Sequence, residues 1–197
     1  MNKKIKITRQ DIIDMKTYSR MRAERRKAMI EIKRYRRVGV GPDATFYFEN
    51  YETMWHQVHE MLFVERGGEA QIKDELSAYN PMIPQGAELV ATLMFEIDDE
   101  IRRQRVLGGL GGIARMISLL IDDETIPAIP EDDIERTNEA GKASSVHFLH
   151  FPFSVAQIAK FRDPSFKVVI GINHPTYGHQ AILSEATRQA LAADLDG

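Results

Sequence analysis

Residues 145–173 constrain the fold most, because they predict a strand, a well-specified helix and a second strand in direct succession. Residues 145–151 carry apolar groups at alternating positions on both faces, a pattern typical of an inner strand. Ser154 and Gln157 have the spacing of a capping box, so a helix should begin directly after Ser154. Residues 166–173 then predict the next strand.

The relation between these two strands has two interpretations. If they are parallel neighbours, the crossover is right-handed, and Pro152, Ser154, Asn173 and His174 meet at the carboxyl edge where open α/β sheets place ligands. The alternative is an antiparallel arrangement, which is the commoner kind of pairing. The sequence leaves both open.

The preceding stretch predicts an acidic helix. Pro130 suits the first helical position, and Glu131, Asp132 and Asp133 place negative charge against the positive end of the helix dipole. Gly141 is placed to end this helix in a left-handed cap.

The strand at 145–151 carries two histidines that point in opposite directions, because side chains alternate across a strand. His147 shares one face with Leu149 and Phe151, whereas His150 lies on the other face. A regular strand therefore prevents both imidazoles from binding one metal ion.

The remaining chain alternates helices and strands. Helices are predicted at about 17–37, 51–66, 69–79, 98–107 and 184–195, and strands at 44–49, 87–97 and 113–122. These elements predict an α+β fold with one mixed or mostly antiparallel sheet of five or six strands, flanked by helices and preceded by a long basic N-terminal helix.

Composition predicts a globular protein, since 43% of the 197 residues are apolar and 28% are charged. A single domain over 1–197 is expected. There is no cysteine, which excludes thiol chemistry and disulfides on this chain. No apolar run reaches the length of a membrane span, and the first residues lack the apolar core of a signal peptide, so we expect a cytoplasmic location without membrane contact.

Charge is segregated along the chain. Residues 1–37 hold 14 Lys and Arg against 4 Asp and Glu, although the whole chain has a net charge of −3. This divides the expected domain into a basic helical arm at 1–37 and an α+β body at 38–197. The arm is a candidate contact for a homodimer or for the chain's own acidic body, and nucleic acid is disfavoured because the whole chain would repel phosphate at long range.

The helix at 51–66 carries a cluster of carboxylates and imidazoles, namely Glu52, His56, His59 and Glu60. One turn of helix separates the members, which is a weak indication of a divalent-cation site. Their spacing matches no known metal motif, and an exposed polar face is the favoured interpretation. No metal or other cofactor is assigned from the sequence.

Several blocks of the chain resemble a bacterial family of uncharacterised proteins that is often encoded beside rubrerythrin-like and iron–sulfur oxidoreductase genes. The blocks are Phe48-Glu49-Asn50, Glu60-Met61-Leu62, Tyr79-Asn80-Pro81, Ile83-Pro84, Glu88-Leu89, Ala91-Thr92-Leu93-Met94, residues 129–136, Gly141-Lys142, residues 144–153, Gly171-Ile172 and His174-Pro175. The resemblance covers nearly the whole chain and brings no known reaction. It implies a bacterial protein that works near redox or metal proteins.

Three functional hypotheses follow. The first is an accessory or binding protein, serving an oxidoreductase system and dimeric in one version. The second is an enzyme or ligand binder, with a site formed by His147, His174, Tyr177, Lys142, Ser144, Ser145, Ser154 and Asn173, where a neutral imidazole acts as base or metal ligand. The third is nucleic-acid binding through the arm. Because no motif pairs a nucleophile with a base, the sequence does not decide whether the protein is an enzyme.

Overall fold

The computed structural model describes residues 4–131 and 143–196, which form six α-helices and nine β-strands. The helices are α1 (Met15–Arg34), α2 (Tyr51–Glu65), α3 (Gly68–Tyr79), α4 (Glu100–Gly108), α5 (Val155–Arg162) and α6 (Glu185–Ala192). The strands are β1 (Arg37–Val40), β2 (Ala44–Glu49), β3 (Glu88–Phe95), β4 (Ile117–Ile121), β5 (Glu124–Pro127), β6 (Ile129–Pro130), β7 (Val146–Pro152), β8 (Val168–His174) and β9 (Tyr177–Ile182). The predicted α+β class is confirmed.

The strands form two antiparallel sheets, with the orders β1-β2-β3-β7-β6 and β5-β4-β8-β9. The prediction of one sheet of five or six strands is therefore wrong. The sequence did not reveal β1, β5, β6 and β9, because three of them have four residues or fewer and β9 is mostly exposed and polar.

The strands on either side of α5 lie in different sheets. β7 pairs with β3 and β6, whereas β8 pairs with β4 and β9. The parallel arrangement is therefore wrong, and no common carboxyl edge unites Pro152, Ser154, Asn173 and His174. Each of these strands has an apolar face, and opposite sheets let those faces share a core.

That core lies between the sheets. It takes Phe46, Leu93 and Phe151 from the first sheet and Leu119 and Ile170 from the second, all at most 1% exposed. Helices α4, α5 and α6 complete it with apolar residues that include Leu107, Ile158, Phe161 and Leu191. Complete burial of one such side chain contributes about 1.5–3 kcal/mol.

A second core lies on the outer face of the first sheet, where α1, α2 and α3 pack over Val90 of β3. Its members include Tyr18, Trp55, Val58 and Leu62. The molecule thus has three layers, a helical layer and two sheets, and α1 of the segment 1–37 is part of the helical layer, into which it packs through Tyr18. The division into arm and body stays a prediction.

The face of α1 that packs on α2 combines apolar and charged side chains. Tyr18 and Met29 are buried, whereas Tyr35, which follows the last helical residue, is 42% exposed. Arg22 and Arg25 pair with Glu60 and Glu52 of α2. Ion pairs therefore join the two helices in addition to apolar contacts.

Polar side chains cap the starts of several helices. The predicted cap Ser154, together with Asn50 and Ser184, accepts a hydrogen bond from the backbone three residues later, and Asn50 and Ser154 complete capping boxes. The helix predicted at 98–107 begins at Glu100, with Asp99 as its cap. Helix starts are predictable from this sequence because the capping residue and its partner are only three positions apart.

Pro130 corrects another expectation, since it lies in β6 opposite Leu149 instead of opening a helix. β6 is an edge strand, where a missing N–H is tolerated. The rest of that predicted helix, with Asp132, Asp133 and Gly141, lies outside the described residues. No helix within the described part of the chain is both long and apolar enough to cross a bilayer.

Candidate functional site

A cleft of about 1200 Å³ opens on the outer side of the first sheet. We call it the lateral cleft. Its walls are residues 5–9, helix α3 with the turn that follows it, and the outward side chains of Glu88 in β3 and His150 in β7. This volume slightly exceeds that of an ordinary small-molecule pocket.

The N-terminal wall is held in place by side chains of the opposite wall. Asn80 Oδ1 accepts from the backbone N–H of Ile7 at 2.7 Å, and Asn80 Nδ2 donates to the Ile7 carbonyl at 3.0 Å. Gln85 donates to the carbonyl of Ile5, and Arg9 pairs with Glu69 of α3. These contacts place residues 5–8, which belong to no strand or helix, and Arg9 at the start of a short 3-10 helix over the cleft.

The polar centre of the cleft is His150, which lies between two carboxylates. Its Nδ1–H donates to Glu88 at 2.9 Å and its Nε2–H points to Glu131 at 3.4 Å. The three side chains are each 20–26% exposed. The hydrogen bond that His150 donates to Glu88, helped by Glu131 and opposed by burial, raises the pKa of the His150 imidazole above its usual value.

This arrangement defines what the cleft can do chemically. While His150 is protonated, the imidazolium and its two carboxylates carry one net negative charge, and the free oxygen positions of Glu88 in the cleft lining accept hydrogen bonds. Lys6 and Lys73 bring positive charge to the same cleft, and neither has a carboxylate within ion-pair distance among residues 4–131 and 143–196. The cleft therefore presents apolar surface with charges of both signs.

Sequence reasoning placed His150 on the face of its strand opposite to His147 but assigned it no role. Glu88 and Glu131 are far from it in the chain, and only the pairing of β7 with β3 and β6 brings them together. The sequence signal for this cluster was weak. It consisted of a histidine on the strand face opposite to His147 and of acidic residues at the ends of two other strands, Glu88 in β3 and Glu131 after β6.

The cluster on α2 is not the exposed polar face that was expected. His56 and His59 are 8% and 0% exposed. His59 Nδ1–H donates to the Trp55 carbonyl at 2.7 Å and Nε2 accepts from the Ile13 N–H at 3.2 Å, so both ring nitrogens are engaged. Burial lowers the pKa of both histidines.

The two glutamates of that cluster bind arginines of α1. Glu60 accepts from Arg22 through both oxygens at 2.8 Å and from Tyr18 at 2.7 Å, and these contacts lower the pKa of Glu60 to about 2. Glu52 pairs with Arg25. Over the described residues no group of three or more His, Asp or Glu side chains is arranged to hold a metal ion.

The histidines proposed as a site from the sequence point into the molecule. His147 is 1% exposed, and its Nε2–H donates to the Ser144 carbonyl at 2.9 Å. His174 is 8% exposed; its ring contacts the Gly111 carbonyl through Nε2 and the N–H and hydroxyl of Thr176 through Nδ1. Backbone and turn contacts thus hold both rings.

Tyr177 links the two sheets. Its hydroxyl accepts from the N–H groups of Asp43 and Ala44 at 2.9 Å and donates to the Val40 carbonyl at 3.0 Å. Burial raises the pKa of Tyr177. Phe95 brings part of the predicted site together, since its ring lies 6.3 Å from that of His147 and 5.6 Å from that of Tyr177.

The other predicted site residues have local roles. The hydroxyl of Ser144 accepts from Val146, the Ser145 carbonyl accepts from Phe95, and Ser154 caps α5. Asn173 is exposed in β8 opposite Gly178. Lys142 lies outside the described residues. Among the described residues, none of the side chains of this predicted site lines the lateral cleft, and the site around His147 and His174 stays a prediction.

Two comparisons with known proteins found relatives of the same kind, proteins of unknown function. A family model described as a protein of unknown function (DUF3501) matches residues 6–195. The solved structure of a novel protein of unknown function from Burkholderia pseudomallei K96243 is similar, with 36% sequence identity and a TM-score of 0.88 over 96% of this chain and 99% of that chain. Comparison with curated proteins found no match. The predicted resemblance to an uncharacterised bacterial family is confirmed.

Proposed function

The chain belongs to the DUF3501 family of proteins of unknown function, and we propose that it is a binding protein whose lateral cleft receives a segment of a partner protein. The observation that carries this proposal is the cleft of about 1200 Å³ with an apolar lining and lysines at its wall. The occupant is a polypeptide segment with apolar side chains flanked by carboxylates.

The apolar lining supports the first half of that description. Ile5, which is 43% exposed, lines the cleft together with Ile72, Leu76 and Pro81. Such surface gains free energy when a partner covers it, at about 25 cal/mol for each Å² removed from water. A mixed apolar and polar lining is what protein interfaces present.

The distribution of charge supports the second half. Arg9 is neutralised by Glu69, but Lys6 and Lys73 have no such carboxylate among the described residues, so the cleft attracts anionic groups at those positions. Glu88 and Glu131 have His150 between them, which reduces their repulsion of an acidic segment while the imidazole is protonated.

The wider role that the resemblance implies is that of an accessory protein in a bacterial redox or metal-protein system. In this proposal the partner protein comes from that system. Identification of the protein that supplies the bound segment tests this assignment. The fold itself is compatible with an enzyme as well as with a binding protein, since function resides in sites and not in folds.

The alternative site near His147 and His174 has weaker support. A general base must reach the proton that it removes within hydrogen-bond distance or through one water. Both histidines are buried and bound to backbone groups, and neither lines the lateral cleft. We therefore assign neither an enzyme class nor a cofactor.

A photo-cross-linking residue placed at Ser77 or at Ala78 tests the proposal in cells of the native host. These neighbours on α3 are both exposed, but only Ser77 lines the cleft. We expect one defined protein adduct from Ser77, identified by mass spectrometry, and none from Ala78. Equal adducts from both positions, or none from either, would contradict it.

Charge reversal supplies the matched control for that experiment. Lys6→Glu with Lys73→Glu should reduce the adduct at Ser77 severalfold, because the partner's carboxylates would then be repelled. Lys16→Glu with Lys27→Glu changes the charge equally on exposed positions of α1 outside the cleft and should leave the adduct unchanged. An equal reduction by both double variants would show that overall charge, not the cleft, selects the partner.

A further inference from the structure

A second cleft, of about 670 Å³, lies between α1, the first two strands and α2. We call it the basic groove. Four cationic side chains line it, those of Arg26, Lys33, Arg34 and Arg37, against one carboxylate, that of Glu31. This groove plays no part in the lateral cleft or in the function proposed above.

The groove follows from the periodicity of α1. Arg26, Met29, Ile30, Lys33 and Arg34 follow one another at three- and four-residue spacing along the helix, so they share one face. β1 and β2 supply the facing wall, where the guanidinium of Arg37 stacks on the ring of its cross-strand neighbour Tyr47 at 5.2 Å.

The pairing of charges distinguishes this face from the rest of α1. Arg22 and Arg25 are bound by carboxylates of α2. Arg26 and Lys33 have no carboxylate within 4 Å in the described part of the chain, and the contact of Arg34 with Glu31 is long, at 3.7 Å, and exposed. Arg37 on the facing wall pairs with Glu96 at 3.1 Å. The groove therefore keeps two cationic side chains, those of Arg26 and Lys33, that no carboxylate of the described residues neutralises.

The ring of His56, which lines the groove, is affected by the same positive charges. Burial is the main cause that lowers the pKa of this histidine, and Lys33, Arg25 and Arg26 lower it further, against the opposing effect of Glu60. Tyr18 lies on its other side, with the hydroxyl 3.3 Å from Nδ1. An anion bound in the groove would therefore raise the pKa of the His56 ring.

We propose that the basic groove is a binding site for a small phosphorylated ligand. Arginine and lysine are the side chains that bind phosphate oxygens, and arginine does so in a bidentate manner. Met29, Ile30 and the ring of Tyr47 offer apolar contacts for the uncharged part of the ligand. The volume lies within the usual range for small-molecule sites.

Nucleic acid fits this groove less well than a small ligand. The chain has a net charge of −3, and residues 1–37 hold 14 of its 26 basic residues, so the rest is strongly acidic. A long polyanion would meet that acidic body, whereas a small ligand enters the groove alone.

Titration calorimetry of the full chain with inorganic pyrophosphate tests the proposal. Arg26→Ala with Lys33→Ala should weaken pyrophosphate binding by about tenfold or more, because two charge-assisted contacts are lost. The matched control is Arg20→Ala with Lys27→Ala, which removes the same residue types at the same spacing from an exposed position of α1 outside the groove. The control should bind pyrophosphate within about twofold of the wild type.

Proton NMR of the His56 ring gives an independent readout. Bound pyrophosphate should raise the pKa of His56 in the wild type and in the control, and not in the groove variant. Three results would overturn the proposal: no saturable binding of pyrophosphate, an equal loss of binding in both double variants, or tight binding of a single-stranded oligonucleotide that both double variants weaken equally. Thermal unfolding of each variant establishes that it is folded.

Discussion

Two histidines three residues apart on β7 lie in opposite environments. His147 points into the core between the sheets and donates to a backbone carbonyl, whereas His150 points outward and lies between Glu88 and Glu131. The alternation of a strand alone makes this difference. On the inner face of β7 the imidazole of His147 makes a structural hydrogen bond. The outer face carries partly exposed charges and borders the lateral cleft.

The largest expected difference between the two faces is in stability. His147→Ala should destabilise the protein by about 2–4 kcal/mol, because it leaves a cavity and an unpaired carbonyl of Ser144. His150→Ala should cost less than about 1 kcal/mol, as for other partly exposed ion pairs. Urea unfolding at neutral pH measures both, and an equal cost would remove the distinction between inner and outer face.

Tyr177 extends the comparison to a hydroxyl. Tyr177→Phe should cost about 1–3 kcal/mol, because it leaves two buried N–H groups and one carbonyl without their partner. Tyr47→Phe is the control: its hydroxyl donates to Glu96 in an exposed contact, so its loss should cost about 0.5–1 kcal/mol. A larger cost for Tyr47→Phe would show that the sheets do not depend on the Tyr177 contact.

Glu60 predicts the acid sensitivity of the helical layer. Its folded-state pKa of about 2 lies below the ordinary 4.5, so its stabilising effect is complete above about pH 4.5 and is lost as the pH falls toward 2. Glu60→Gln should therefore cost at most about 3 kcal/mol at pH 7 and progressively less in acid. Unfolding measured from pH 3 to pH 7 checks this, and a cost independent of pH would contradict it.

His150 should give the smallest effect, with the opposite sign. Its folded-state pKa is raised, so its contribution is fully present below the ordinary value of 6.5 and is lost as the pH rises through the folded-state pKa. The wild type should lose stability relative to His150→Gln, by less than about 1 kcal/mol, over that window. Parallel stability curves for the two proteins above pH 6.5 would exclude this role.

The sequence predicted those parts of the fold that depend on local chemistry. The cap at Ser154, the helix starts near residues 51 and 184 and the opposite directions of His147 and His150 are confirmed, since hydrogen bonds and alternation within a few residues set them. The second sheet was not predicted, because β9 is polar and β5 has four residues. Strand partners depend on contacts between distant segments, which periodicity does not contain.

The same reason separates the predicted site from the lateral cleft. His147, His174 and Tyr177 were grouped into one candidate site from the sequence, and in the structure they are buried and make hydrogen bonds with backbone or turn groups. His150 acquires its significance only from Glu88, 62 residues away in the chain, and from Glu131. Residues 5–9 join the cleft through Asn80, again a distant contact.

The claim that the outer face of β7 carries the charged chemistry is tested most directly by a proton NMR titration of the His150 ring. The account predicts a pKa above 6.5 in the wild type and a lower one in Glu88→Gln and in Glu131→Gln, with the larger decrease in Glu88→Gln. A wild-type pKa at or below 6.5, or one that neither variant changes, would contradict it.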